Sequence, residues 1–548
     1  MNQGEREDER RSGDSIARLS GGIGRRHFLT GAAATAAVIA AGCSSSGNDA
    51  AVDRPTGAGT ASTTTRHSAK LAADPFTLGV ASGDPLADRV ILWTRLAPDA
   101  VAADGLGGMR ADKVDVVWEV ATDARFSSLV ARGVSTADPD HGHSIHVDAT
   151  GLEPGTDYRY RFRVGSYTSP VGRTRTLPDG DAERFALAVA NCQWYETGTY
   201  AAYRHMVDED IDVVVHLGDY IYEAPGGLGA VVDGRASLPA GGLRQLADYR
   251  VRYASYKLDP DLLAAHARHP FFCTWDDHEV VNNYMGDTAP GTITAAAMQE
   301  RKAAAYQAWW EHLPVRLDPP TGSDLAVYRS LDAGNLARLY LLDERQDSAV
   351  PPCRDTTNGA LDYGDCDART AEDRTRLGKP QEEWLASELD KGGVTWNLLG
   401  NPVVLAGVDG GTDASAYYLD TWDGFPQARE RLIAQLADVD NPVVLTGDYH
   451  AGMVLDVRAK PFDQSSDLVA PEFMSPPISS TLFPADVSAR TPQLRQQINE
   501  YGYLTVEATP DRLTARFRTL DDVKDAKSRI STAATWTVDA GDPSATKA

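Results

Sequence analysis

Asp212-Val213-Val214-Val215-His216-Leu217-Gly218-Asp219-Tyr220-Ile221-Tyr222-Glu223 is the stretch whose reading decides the fold. Its run of β-branched residues reads as a buried strand, and the Gly-Asp that follows throws a carboxylate out at the strand's carboxyl tip. The same grammar recurs at Pro442-Val443-Val444-Leu445-Thr446-Gly447-Asp448-Tyr449-His450. A third apolar run, Phe271 to Trp275, ends in Asp276-Asp277-His278-Glu279, and a fourth, Phe185 to Ala190, ends in Asn191-Cys192. Ligands of open α/β sheets collect outside the carboxyl ends of the strands. Four tips carrying metal-ligand chemistry therefore read as one site assembled from distant parts of the chain.

The rest of the chain is placed around that site. At 548 residues it is long for one core, so two domains are expected. A net charge of -25 argues against a nucleic-acid partner, whose phosphates attract basic surfaces. It does not exclude small phosphorylated substrates, because bound metals can supply local positive charge.

Arg25-Arg26-His27-Phe28-Leu29, followed by the short apolar run Gly31 to Ala41, reads as a twin-arginine export signal. Ala40-Ala41-Gly42-Cys43 resembles a bacterial lipobox, which would leave an acylated Cys43 as the protein's only membrane attachment. The alternative is cleavage at a nearby Ala-x-Ala site, with release. The domains expected are a leader over 1–43, a flexible linker over 44–74 and a small fibronectin- or Ig-like β-sandwich over 75–178. A catalytic α/β domain over 184–520 and a tail over 521–548 complete the chain. The sandwich rests on alternating strands such as Tyr158 to Val164 and on Leu152 to Tyr158, which resembles a tyrosine corner. Helices are expected over 200–209, 243–253 and 259–267, with a longer one capped by Thr294. Of the five cysteines, Cys353 and Cys366 are expected to pair in an exported protein, and Cys273 to be inert core.

The chemistry follows from residue types. Asp219 and Asp448 can each bridge or ligate cations, and His450, two residues beyond Asp448, can join them. Asp277, Asn282 and Asn283 offer hard oxygens suited to Ca²⁺. A thiolate at Cys192 and a phenolate at Tyr222 would stabilise a high-valent cation, with Fe³⁺ the natural choice, although on residue types alone a buried cysteine and a surface tyrosine are the better reading. His278 could protonate a leaving group or hold the phosphoryl group in its transition state. Arg345, at the end of a strand, carries the planar fork that suits phosphate oxygens, with a structural ion pair to Asp343 or Glu344 as the bland alternative. His216 reads as a core or supporting histidine, and His205 has no role.

Asn191-Cys192-Gln193, His216 to Glu223, Trp275 to Glu279 with Asn282-Asn283, Asp343 to Gln346 and Gly447 to His450 together resemble the PhoD-type alkaline phosphatases. The resemblance implies a calcineurin-like metallophosphoesterase core and secretion. It implies one Fe³⁺ held at Cys192, Asp219, Tyr222 and His450. Ca²⁺ would be held at Asp219, Asn282 or Asn283, and Asp448, with Asp277 a further candidate. Arg345 matches the family's phosphate-contacting arginine. A metal-bound hydroxide would attack phosphorus in mono- or diesters. Phospholipase D or teichoic-acid-type phosphodiesterase activity is the alternative, with a non-catalytic surface binding protein a third. The chain departs from the wider metallophosphoesterase pattern in having Cys192 where Asp-x-His is usual, and Asp277-His278 where Asn-His is usual.

Overall fold

A computed structural model describes residues 71–225, 232–291, 293–350, 363–408, 417–483 and 486–548. The leader, Cys43 and the linker as far as residue 70 lie outside the described residues. Cys366 is disulfide-bonded; Cys353, its expected partner, also lies outside them. Among the described residues no helix is long and apolar enough to cross a membrane.

Two mixed sheets face each other. In the larger, of ten strands, Phe185–Ala190, Val213–His216, Pro270–Cys273 and Val80–Gly83 lie side by side and parallel. In the second, of seven strands, Ala337–Leu341, Trp396–Gly400, Pro442–Thr446 and Leu468–Met474 do the same. Alternation along each strand assigns the layers. Leu187, Val189, Val213 and Val215 pack against Leu339, Leu341, Leu398, Val443 and Leu445 in one core between the sheets. The intervening Ala186, Ala188, Val214 and Phe271 turn outward onto Tyr203, Tyr253, Leu262 and Trp309 of covering helices. On the far side Tyr340, Leu399 and Val444 meet Leu385, Leu389, Leu432 and Leu436 of two more helices. The result is a helix, sheet, sheet, helix stack, an α/β arrangement.

The helices fall close to where their caps place them. Asp259 accepts from the backbone N–H groups of Asp261 and Leu262 and starts Pro260–Arg268, and Thr294 accepts from Ala297 and starts Ala295–His312. Ala201–Met206 and Leu246–Lys257 are the remaining two on that face. Trp309 and Trp310 are buried there, as core.

Two expected boundaries are corrected. The 75–178 segment is not a self-contained sandwich. Val114–Ala121, Leu129–Ala137 and Asp157–Val164 belong to a separate five-stranded sheet, but Val80–Gly83, Arg89–Arg95 and Ser144–Thr150 form the edge of the ten-stranded one. The cause is parallel pairing of Ser82 and Gly83 with Pro270 and Phe271. A Cβ on Gly83 would stand 2.2 Å from the Pro314 carbonyl oxygen, so only glycine permits that approach. The two sheets still share a core through Val80, Leu92, Val147, Val116, Tyr160 and Phe162. At the corner, the Tyr158 hydroxyl accepts from the Glu153 N–H at 2.8 Å. The second correction is the tail: Ile530–Asp539 pairs antiparallel with Arg512–Leu520, burying Ala534, Trp536 and Val538 at alternate positions. Residues 521–548 thus extend the sheet.

Candidate metal centre

The parallel strands of both sheets end on one side of the molecule, and the residues beyond their tips converge. Ligand atoms of Cys192, Asp219 and His450 lie within 4.8 Å of one another, as do those of Asp219, Asp277 and His278, and those of Asp276, Asp277 and Asp448. Among the described residues ten non-glycine residues have positive φ, and five of them are Cys192, Asp219, Asn283, Asp448 and His450. Each such backbone costs on the order of 1–3 kcal/mol and persists only where its surroundings impose it. Half of these conformations thus fall at the converging strand tips.

One carboxylate fastens two tips together. Glu279 accepts from the N–H groups of Asp219 at 3.0 Å, Tyr220 at 2.6 Å and Asp276 at 2.8 Å. Gly218, at φ 106°, fits beneath because a Cβ there would come within 2.4 Å of the Asp276 nitrogen. Glu279→Ala would leave three buried donors unpaired, so a stability loss on the order of 3 kcal/mol or more is expected in urea unfolding. Metal affinity should weaken with it. An unchanged midpoint would contradict the clamp.

Around Asp219 the donors are ordered. The Tyr222 hydroxyl donates to Asp219 Oδ2 at 2.7 Å, stands 3.2 Å from His450 Nε2, and accepts from Ser480 Oγ at 2.6 Å. His450 Nδ1 faces the Thr481 carbonyl at 2.8 Å, which puts the proton on Nδ1 and leaves Nε2 as the ligand atom. Trp194 stacks flat on Tyr222, with centroids 4.7 Å apart. On the other flank, His278 Nδ1 lies 2.7 Å from Glu223 Oε2, while Glu223 Oε1 accepts from the Asn282 N–H at 3.0 Å. The Asn283 N–H donates to Asp277 Oδ2.

The electrostatics of this cluster call for cations. Burial first, and then neighbouring carboxylates, hold Asp219 and Asp448 well above the ordinary carboxylate range. Burial and Asp219 push the Cys192 thiol and the Tyr222 phenol up as well. Burial disfavours the charged His278 ring, but Asp277, Glu223 and Asp219 outweigh it and hold the ring's pKa well above the usual imidazole value. Asp219 Oδ1, Asp277 Oδ1 and Asp276 Oδ2 are buried oxygens with no hydrogen-bond donor. Acceptors that lack donors, crowded together, fit metal ions: a bound cation pairs them and reverses each of these shifts. Thiol, phenol, imidazole and carboxylate lie on one side; on the other, carboxylates predominate, with the His278 ring beside Asp219 and Asp277.

Arg345 requires a correction. It is 0 % exposed and lies beneath the carboxylates rather than in the cleft. Asp343 Oδ1 captures the N–H groups of Arg345 and Gln346 at 2.9 and 3.1 Å, and this turn aims the side chain inward. The guanidinium binds Asp276 through Nε and Asp420 through Nη1, the latter at 2.9 Å. Burial opposes its charge, but Asp276 and Asp420 outweigh burial. In the structure Arg345 is a buried strut, with side-chain partners other than Asp343 or Glu344, and its Nη2 has no hydrogen-bond partner among the described residues. His216 is a core residue, pushed down to about 3 by burial, and His205 faces the Ser528 carbonyl away from the site.

Above the carboxylates opens a cavity of about 620 Å³. Asp219, Asp277, His278, Asn282, Asn283, Asp448 and His450 form its floor, and Trp194, Tyr418, Tyr449, Leu482 and Phe483 its walls. Glu223 and Glu279 stand inside the quoted motifs, and their roles emerge only from the folded contacts. Trp194, Asp420 and Ser480 carry no local signal at all.

Comparison with known proteins places these features in context. The model of the PhoD-like phosphatase family matches residues 187–517, and that of the PhoD-like phosphatase N-terminal domain matches residues 59–178. Alkaline phosphatase D of Bacillus subtilis (strain 168) is 41% identical over 484 residues, covering 84% of this chain and 80% of that protein. A solved structure described as PhoD superposes with a TM-score of 0.82 at 39% identity, covering 88% of this chain and 93% of that one.

Proposed function

The chain belongs to the PhoD-like phosphatase family and is a phosphoric ester hydrolase, and from that premise we propose an exported alkaline phosphatase working at a centre of Fe³⁺ and Ca²⁺. The observation that carries the reading is the meeting of thiol, phenol, imidazole and carboxylate donors from three strand tips around Asp219. Cys192, Asp219, Tyr222 and His450 would hold the iron, a soft-to-hard mixed set suited to a trivalent ion. Asp219, Asp277, Asp448 and an asparagine, Asn282 or Asn283, would hold calcium through oxygen. Both asparagines line the cavity, Asn283 buried and Asn282 exposed. Cations in these positions lower the pKa of water and take up charge developing on phosphoryl oxygens.

The chain's own groups do the rest. Glu223 fixes the His278 ring from its Nδ1 side, leaving Nε2 to pass a proton to the departing alkoxide. Arg345 positions Asp276 beside Asp277. The core is read as calcineurin-like, and the separate five-stranded sheet of the N-terminal segment as an Ig-like element packed on three strands that join the larger sheet. Export rests on Arg25-Arg26 and the apolar run behind it, with Cys43 as the acylation site if the lipobox is used.

Removing calcium with a chelator is expected to lower phosphate release by on the order of 100-fold, and readdition to restore it. Turnover indifferent to chelators would refute the reading. Rates on a monoester, a diester and phosphatidylcholine separate a phosphatase from the phospholipase D and teichoic-acid-type alternatives. Turnover of none of them by metal-loaded protein would favour a binding protein.

A further inference from the structure

The cavity is far larger than a phosphoryl group needs, and its two halves differ in chemistry. The floor is polar throughout, whereas the wall on the 418–483 side is aromatic and aliphatic. That wall is rigidly tied to the floor. Tyr449 lies between Asp448 and His450, and its ring packs on Phe483 with centroids 4.9 Å apart. The Phe483 N–H donates to the His450 carbonyl at 3.2 Å, while the His450 ring holds the Thr481 carbonyl at 2.8 Å. Moving the wall would therefore move a ligand, so its distance from the phosphoryl position is fixed by the same contacts that orient His450. Tyr418 and Leu482 extend it, both partly exposed. Tyr418, Tyr449, Leu482 and Phe483 thus offer a substrate aromatic and aliphatic surface on this side of the cavity.

Resting on the phosphoesterase reading above, we infer that the Tyr449–Phe483 wall is the subsite for the ester's organic substituent and selects apolar, aryl-sized groups over small polar ones. A phosphoryl group over the floor presents its ester oxygen toward this surface, and a ring there gains aromatic packing as well as burial. The selection is built into the ligand-bearing segment itself.

The test is calorimetric titration of the metal-loaded full chain with phenylphosphonate and with methylphosphonate, which share a non-hydrolysable head group. The wild type should bind the phenyl compound about 10-fold or more tightly than the methyl compound. In Phe483→Ala the ratio should fall toward one, and in Phe483→Leu part of it should remain. Equal affinities in the wild type, no binding of either compound, or a ratio untouched by Phe483→Ala would each overturn the inference. The phosphoesterase reading fails separately, if phenyl phosphate is not hydrolysed while the phenyl preference in binding persists.

Discussion

Asp219→Ala is expected to lose iron and calcium together and to lower phosphate release by on the order of 1,000-fold or more. Among the described residues Asp219 alone joins the set containing Cys192 and His450 to the set containing Asp277 and His278. Its Oδ2 accepts the Tyr222 hydroxyl, and its Oδ1 has no donor, so one side chain serves both halves of the centre. Removing it takes a ligand from each. The metal-free protein should not suffer in parallel. Burial is what most disfavours a charged Asp219 in the absence of cations, with Asp277 and Asp276 adding to it and His278 opposing, so its deletion removes that burial cost. The expected signature is a thermal midpoint in chelator equal to or above that of wild type, with the rise on adding metals lost. A variant with wild-type metal-induced stabilisation would contradict this.

Arg345→Met should be the most damaging single change to stability. It takes from Asp276 and Asp420 their direct ion pairs in a buried setting, at a cost on the order of 3–5 kcal/mol. An arginine that only contacted phosphate would behave oppositely: its loss would raise KM and leave urea unfolding unchanged. Arg345→Lys keeps the charge but loses the fork that reaches both carboxylates, so its midpoint should fall between those of Arg345→Met and wild type. Midpoints near wild type for both variants would restore the phosphate-contact role.

These two residues also mark what a sequence can and cannot convey here. Asp219 follows a strand and a glycine, and that local grammar is enough to put its carboxylate at a strand tip. The same holds for Asp448, and for Asp276 and Asp277. Asp259 and Thr294 announce their helices because a cap is a contact within three residues. Arg345 also sits at a strand tip, but whether it faces the cavity or the interior is decided by Asp420, a residue in no motif. Glu279 could not be read as a clamp, because two of its three donors, Asp219 and Tyr220, lie about sixty residues away. The strand Ile530–Asp539 is obscured by a polar, alanine-rich composition: only Ala534, Trp536 and Val538 carry the alternation. Gly83 shows the converse, since its need for a bare Cα arises from a neighbour at Pro314 that no local pattern reveals.

The account depends on remote strand tips sharing cations. The most direct measurement is the metal content of the protein as purified, read with its visible spectrum. Iron and calcium in stoichiometric amounts, with an absorption band from phenolate or thiolate bound to ferric iron, are the predicted result. Fully active protein that contains no metal, or zinc or manganese alone with no such band, would contradict it.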